Sequence, residues 1–185
     1  MKARRHLRAP FRSVCLYVDG EYVFKARTNN ISEGGILLSE LPHLPEINAL
    51  PLMIVLTEFP RFQNFSFDDL KKMNIEDFPQ KVVKVKARLV RSFEGESNVD
   101  KVFRKFVGCE FYTSNDEFIL AVRNYVETYT KNVVYLLSLF ESLGNKTEQL
   151  EALRTIAQFL GHDRKMKIPL LRAKVLHDYQ SLESL

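Results

Sequence analysis

The first chemistry to read in this sequence is carried by arginine. Arg4, Arg5 and Arg8 fall within five residues, with Lys2 before them and Arg12 after. A guanidinium grips phosphate through two parallel hydrogen bonds, reads the O6/N7 edge of guanine, and stacks its plane on a base. An ammonium does all three poorly. A second group follows at Asn30-Ile31-Ser32-Glu33-Gly34-Gly35, an Asn-x-Ser-x-x-Gly run. Asn30 and Ser32 are short polar groups that can meet a base edge or a sugar from a turn. Gly34 and Gly35 form an unusual pair after them, and Gly35 can take positive φ and let backbone approach a ligand closely. The same residues also suit a plain β-turn. Arg12, Arg27 and Arg91 are auxiliary candidates for the rim of such a site.

Charge agrees with an anionic partner but confines it to one end. Formal net charge is +4 and pI is about 9.0. Five of the 27 Lys and Arg lie in the first thirteen residues, with none of the 23 acids, so the remainder is close to balance. A nucleotide, a nucleic acid or a membrane surface fits such a cluster, as does a solubilising tail.

Catalytic signatures do not accompany it. His6, His43, His162 and His177 are scattered, with no second His or Cys at metal spacing. The nucleophile elbow, the phosphate-cradling Gly-rich loop and the His-Glu-x-x-His helix are absent. Asp68-Asp69 and Glu76-Asp77 read as solvated loop charges. Neither an enzyme nor a metal or cofactor site is expected. Cys15 and Cys109 sit in apolar segments and suit small buried side chains in a reducing cell. No window is apolar enough to span a bilayer and no secretory leader is visible, which gives a cytoplasmic expectation.

The elements that must position these residues are mostly strands. Asp19-Gly20 between Leu16–Val18 and Tyr22–Phe24 marks a hairpin. Further strands are expected at 35–38, 50–57, 81–93 and 101–112, the last two joined through Gly95. Val82 to Val90 alternates as a half-buried strand should. Short strands in series indicate a small antiparallel barrel or sandwich over residues 1–115. A Phe-rich insertion at 57–80 interrupts it, with a short helix started by Ser66 and Asp69. Its aromatics are expected to cap one end of the barrel.

From Asp116 the period becomes helical. Ile119, Val122, Val126, Tyr129, Val133, Leu136, Phe140 and Leu143 recur at steps of three and four, a heptad seam ended by Gly144. A second helix, capped by Asn145, runs to Gly161, and a third begins near Pro169. The extension at 116–185 must cover its long seam. The mismatch in helix length favours a coiled coil with another copy of the chain.

The two motifs, in this order around the first hairpin, make the chain resemble the PilZ domain, a bacterial six-stranded β-barrel that binds cyclic di-GMP. The resemblance covers roughly residues 4–130. It includes Arg88-Leu89-Val90-Arg91 and Val107-Gly108-Cys109-Glu110-Phe111 as later strands. It implies a mainly β fold with α, a PilZ-like antiparallel barrel followed by a C-terminal helical extension. It assigns ligand binding to Arg4, Arg8, Asn30, Ser32 and Gly35, with Arg5 and Gly34 beside them. The implied function is that of a receptor whose basic arm closes on cyclic di-GMP and changes the interaction with a protein partner. The insertion could cover or reshape that site. The alternative is a PilZ-like oligomerising adaptor that binds no nucleotide. Nucleic acid is the weaker partner, because the strands lack interleaved aromatic and basic residues.

Overall fold

A computed structural model describes residues 6–96, 103–142 and 147–183. The expected hairpin is formed by β2 (Val14–Asp19) and β3 (Tyr22–Ser32), with Gly20 at φ 61 in its turn. Strands β4 (Gly35–Ser39), β5 (Ala49–Thr57), β6 (Gln80–Glu96) and β7 (Phe103–Thr113) complete the set. All neighbours are antiparallel, in the ring β2-β3-β4-β7-β6-β5, and β5 closes back on β2. This is a closed six-stranded barrel. Alternation decides which face is inside: Cys15 and Tyr17 are buried on β2, and Leu50, Leu52, Ile54 and Leu56 on β5. Of the loop expected at 94–98, Glu94 to Glu96 instead extend β6, Gly95 pairing with Arg104, while Ser97 and Asn98, like Gly144 and Asn145, lie outside the described residues.

One strand is additional. β1 (Ala9–Pro10) pairs with β3 at Ile31 and Asn30, on the same edge that β2 occupies further along. Residues 11–13 interrupt that edge, and Thr28 stitches the gap. Its hydroxyl donates to the Phe11 carbonyl at 2.6 Å and accepts from the Ser13 N–H at 2.9 Å.

Between β5 and β6 the insertion holds α1 (Phe67–Lys72), flanked by two 3₁₀ turns. Ser66 and Asp69 form the expected reciprocal cap. The aromatics of the insertion, however, turn toward the helical extension. Phe62 stacks on Phe159 at 5.5 Å between centroids, and Phe78 meets Phe159 edge-on at 5.0 Å. Asn132, 1% exposed, fixes the insertion's backbone by donating to Pro60 O and accepting from Phe62 N.

Three further helices, α2 (Asp116–Glu141), α3 (Thr147–Phe159) and α4 (Ile168–Glu183), pack onto this unit. On α2 the buried face includes Phe118, Tyr125, Asn132 and Leu139 as well as most of the expected seam. Such a stripe is wider than a two-helix seam and suits a helix covered by several elements. Those elements include α3, α4, β1, β3, β5, β6 and the first 3₁₀ turn. Among the described residues the seam is therefore covered within the chain, so the uncovered surface that argued for a coiled coil is not found there. Buried residues of barrel, insertion and helices form one continuous core.

Candidate functional site

The register of β1 places the basic arm. Pairing of Ala9 with Ile31 and Pro10 with Asn30 forces the chain just before Ala9 to run beside the Asn30–Gly35 turn. Tyr125 of α2 fastens this strand, donating its hydroxyl proton to Pro10 O at 2.9 Å. His6, Arg8, Asn30, Ser32, Gly34 and Gly35 then line one cleft of about 650 Å³. Val90, Arg91, Gly108, Cys109 and Glu110 form its other side. Arg4 and Arg5 lie outside the described residues.

Bulges shape both walls. Asn29 is the extra residue where β3 meets β4, and its amide donates to Ser39 Oγ at 2.7 Å. Such an insertion re-aims the residues after it. Here these are Asn30, half-buried at the cleft, and Ser32, 4% exposed with its hydroxyl 3.4 Å from Gly35 O. On the opposite wall Val90 is the extra residue between Leu89–Cys109 and Arg91–Gly108 pairings. Arg91 then crosses Gly108, where an added Cβ would lie 3.1 Å from Arg91 Cγ. Its guanidinium carbon sits 5.1 Å from the centre of the Phe93 ring.

Gly35 has a different reason from the one its type suggests. Its φ is not positive. A Cβ there would stand 2.3 Å from Cys109 O, so the side-chain-free position is needed for β4 to approach β7. Gly34 leaves room for the His6 ring.

The charges are mostly held. Arg123 of α2 binds Glu33 in the turn, at 2.8 Å, and its hydrogen bond keeps that carboxyl below the usual range. Arg88 donates twice to Glu110, the acid of the cleft, through Nε at 2.9 Å and a terminal nitrogen at 2.7 Å. Burial pushes the Cys109 thiol up to about 12, which makes it a wall and not a nucleophile.

Two auxiliary arginines are elsewhere. Arg27 pairs with Glu40 at 3.0 Å and does not line the cleft. Arg12 turns to the helices and contacts both carboxylate oxygens of Asp178 on α4, at 2.7 and 3.0 Å. Tyr129 donates to the same carboxylate at 3.1 Å. His162 Nε2 lies 3.2 Å from Asp178 Oδ2, off the axis of a sound hydrogen bond. Pro10-Phe11 ends the arm, and Arg12 begins a link to α4. Arg91 is the one auxiliary candidate in the cleft. His6, Val90, Gly108 and Glu110 were not picked out as site residues from the sequence. An isolated Gly inside a strand is a signal of close approach and would have pointed to Gly108.

Among the described residues no group of three or more His, Cys, Asp or Glu could hold a metal ion, and no helix is long and apolar enough to cross a membrane.

No curated protein matches the chain. The Bacillus subtilis inhibitor of motility (MotI/DgrA) is a similar solved structure at 16% identity and TM-score 0.48, covering 69% of this chain and 51% of its own. The chain thus spans about half the length of that protein. The PilZ domain of Escherichia coli YcgR, solved with c-di-GMP, gives 10% identity and TM-score 0.49, with 72% and 96% covered. K. pneumonia MrkH, also in complex with c-di-GMP, gives 10% and 0.44, with 77% and 55% covered. The family model described as PilZ domain matches residues 2–127. That span takes in both motifs, the whole closed barrel and the first part of α2, and by it the chain belongs to the PilZ domain family.

Proposed function

We propose that this protein is a non-catalytic receptor for cyclic di-GMP, which binds in the cleft between the base of the arm and the Asn30–Gly35 turn. The observation that carries this reading is the pairing of β1 with Asn30 and Ile31, which brings Arg8 and the turn to one cleft with Arg91 on its far wall. Cyclic di-GMP presents two phosphates and two guanines. Arg8 supplies a guanidinium for phosphate or for a guanine O6/N7 edge, and Arg4 and Arg5 extend the same chemistry along the arm. Asn30 offers an amide to a base edge. Arg91, laid flat over Gly108, is suited to stack on a purine. Ser32 supports the turn from inside.

Ligand binding at Arg8 also has a route to the rest of the molecule. Arg8 is followed directly by β1, and Arg12 beyond it is fixed to Asp178 on α4. Closure of the arm would therefore change the environment of β1 and α4, and with it the surface offered to a protein partner.

Calorimetric titration of cyclic di-GMP into the full chain tests the reading, with Arg8→Ala, Asn30→Ala and Arg27→Ala compared. Loss of a charge-assisted contact of about 2 kcal/mol predicts an affinity roughly 30-fold weaker for Arg8→Ala. Arg27→Ala should bind as the parent does. Equal isotherms for the parent and Arg8→Ala would remove the site. Displacement of the ligand by single-stranded polyanion with a steep salt dependence would favour nucleic acid instead.

A further inference from the structure

A second surface lies across the barrel from the cleft. In the strand ring β2 and β5 stand opposite β4 and β7. Outward positions on β2 and β5 are apolar: Leu16 and Val18 on one, Pro51, Met53 and Val55 on the other, all half-buried and outside the core cluster. Leu16, Val18, Pro51 and Met53 floor a groove of about 430 Å³. Val23 at its edge is 64% exposed, and Val14, the next outward position of β2, is 39% exposed.

Register sets the charges on its banks. Lys25 pairs across to Leu16, Leu16 to Met53, and Met53 to Lys84, so one row reads cation, apolar, apolar, cation. The next row ends in Lys86 opposite Pro51. No acid occupies an outward position of β2, β5 or the facing parts of β3 and β6. Arg27 and Arg88 are held by Glu40 and Glu110, whereas Lys25, Lys84 and Lys86 make no ion pair among the described residues. Strands are spaced by about 4.8 Å, so the two banks stand roughly 14 Å apart. An α-helix is about 10 Å across.

We propose that this groove docks an acidic amphipathic helix of a protein partner, its apolar stripe on Leu16 and Met53 and its carboxylates on Lys25, Lys84 and Lys86. A concave floor with Lys84 and Lys86 lining one bank, and Lys25 beyond the opposite edge in the Leu16 row, suits a single rod. A planar lipid surface would touch the banks and leave the floor bare. A second copy of this face would set lysine against lysine. Rows from Val14 to Val18 span about 14 Å of strand, enough for roughly nine helical residues.

The probe is a labelled peptide of about 18 residues with leucines at helical spacing and glutamates flanking them, beside a counterpart with lysine in place of glutamate. Anisotropy with the full chain should show binding of the acidic peptide only, weakened at least tenfold in Lys84→Glu/Lys86→Glu and by raised salt. Amide shifts on titration should map to β2 and β5. These lysines are exposed, and an unchanged melting temperature separates lost docking from lost folding. Failure of the acidic peptide to bind, equal binding of both peptides, or indifference to charge reversal would overturn the proposal. So would lysine-dependent sedimentation with phosphatidylglycerol vesicles in place of peptide binding, or a dimer by light scattering that Met53→Glu dissociates. None of these outcomes depends on the nucleotide cleft.

Discussion

Gly35 serves the fold, whereas Arg91 lines the cleft and carries a proposed ligand contact. A methyl group at Gly35 collides with Cys109 O, a backbone atom of a central strand that cannot swing aside. Gly35→Ala should therefore cost about 2–4 kcal/mol, measured by urea unfolding, because β4 and β7 must part. Arg91 is exposed and touches chiefly Phe93 and Gly108. Arg91→Ala should move stability by about 0.5 kcal/mol or less while weakening cyclic di-GMP binding roughly tenfold in calorimetry. Equal affinity for the variant would place Arg91 outside the contact. Residue types alone left the Asn-x-Ser-x-x-Gly run open between a ligand site and a plain β-turn, and the PilZ resemblance favoured the site. That its last glycine answers to a neighbouring strand could not, since Cys109 is 74 positions away.

At the level of elements, β1 and α4 are joined through Arg12 and Asp178. The carboxylate is 3% exposed. Burial works to raise it, and the contacts from His162 and Arg12, with the Arg12 charge, outweigh burial and bring it down to about 2. A folded-state value below the unfolded one means stability that is present above about pH 4 and is lost as pH falls toward 2, on the order of 2 kcal/mol for this group. Urea unfolding of the parent and Asp178→Asn at pH 6, 4 and 2.5 should show a gap that narrows with acid. A constant gap would show that the ion pair contributes nothing through its charge. Local elements were readable in advance: the Asp19-Gly20 hairpin and the Ser66–Asp69 cap involve neighbours in sequence. Arg12 meets its partner 166 residues away, and no spacing rule connects them.

Across the whole molecule, barrel, insertion and helices share one core, so perturbing the α2 seam should unfold the chain and not dissociate an assembly. Leu136 is fully buried. Leu136→Ala should lower stability by about 2–5 kcal/mol and leave the mass found by light scattering unchanged. A drop in mass would revive self-association through that face. Alternation in the strands pointed to an antiparallel barrel or sandwich, because each pleated strand exposes one side to water, and the PilZ resemblance chose the barrel. Steps of three and four in α2 marked an apolar face correctly, but the occupant expected for it was another copy of the chain, whereas among the described residues Phe59 of the insertion, with β1, β3, β5, α3 and α4, packs against α2. Cys15 and Cys109 share that interior, 1% and 5% exposed, with burial raising their thiols to about 11 and 12. Burial thus keeps both thiols protonated at neutral pH and out of reach, so maleimide reagents should leave both untouched. Leu7, 51% exposed between His6 and Arg8, is then a position where a single introduced cysteine can carry a fluorophore, and the arrival of nucleotide can be followed by colour in an otherwise unlabelled chain.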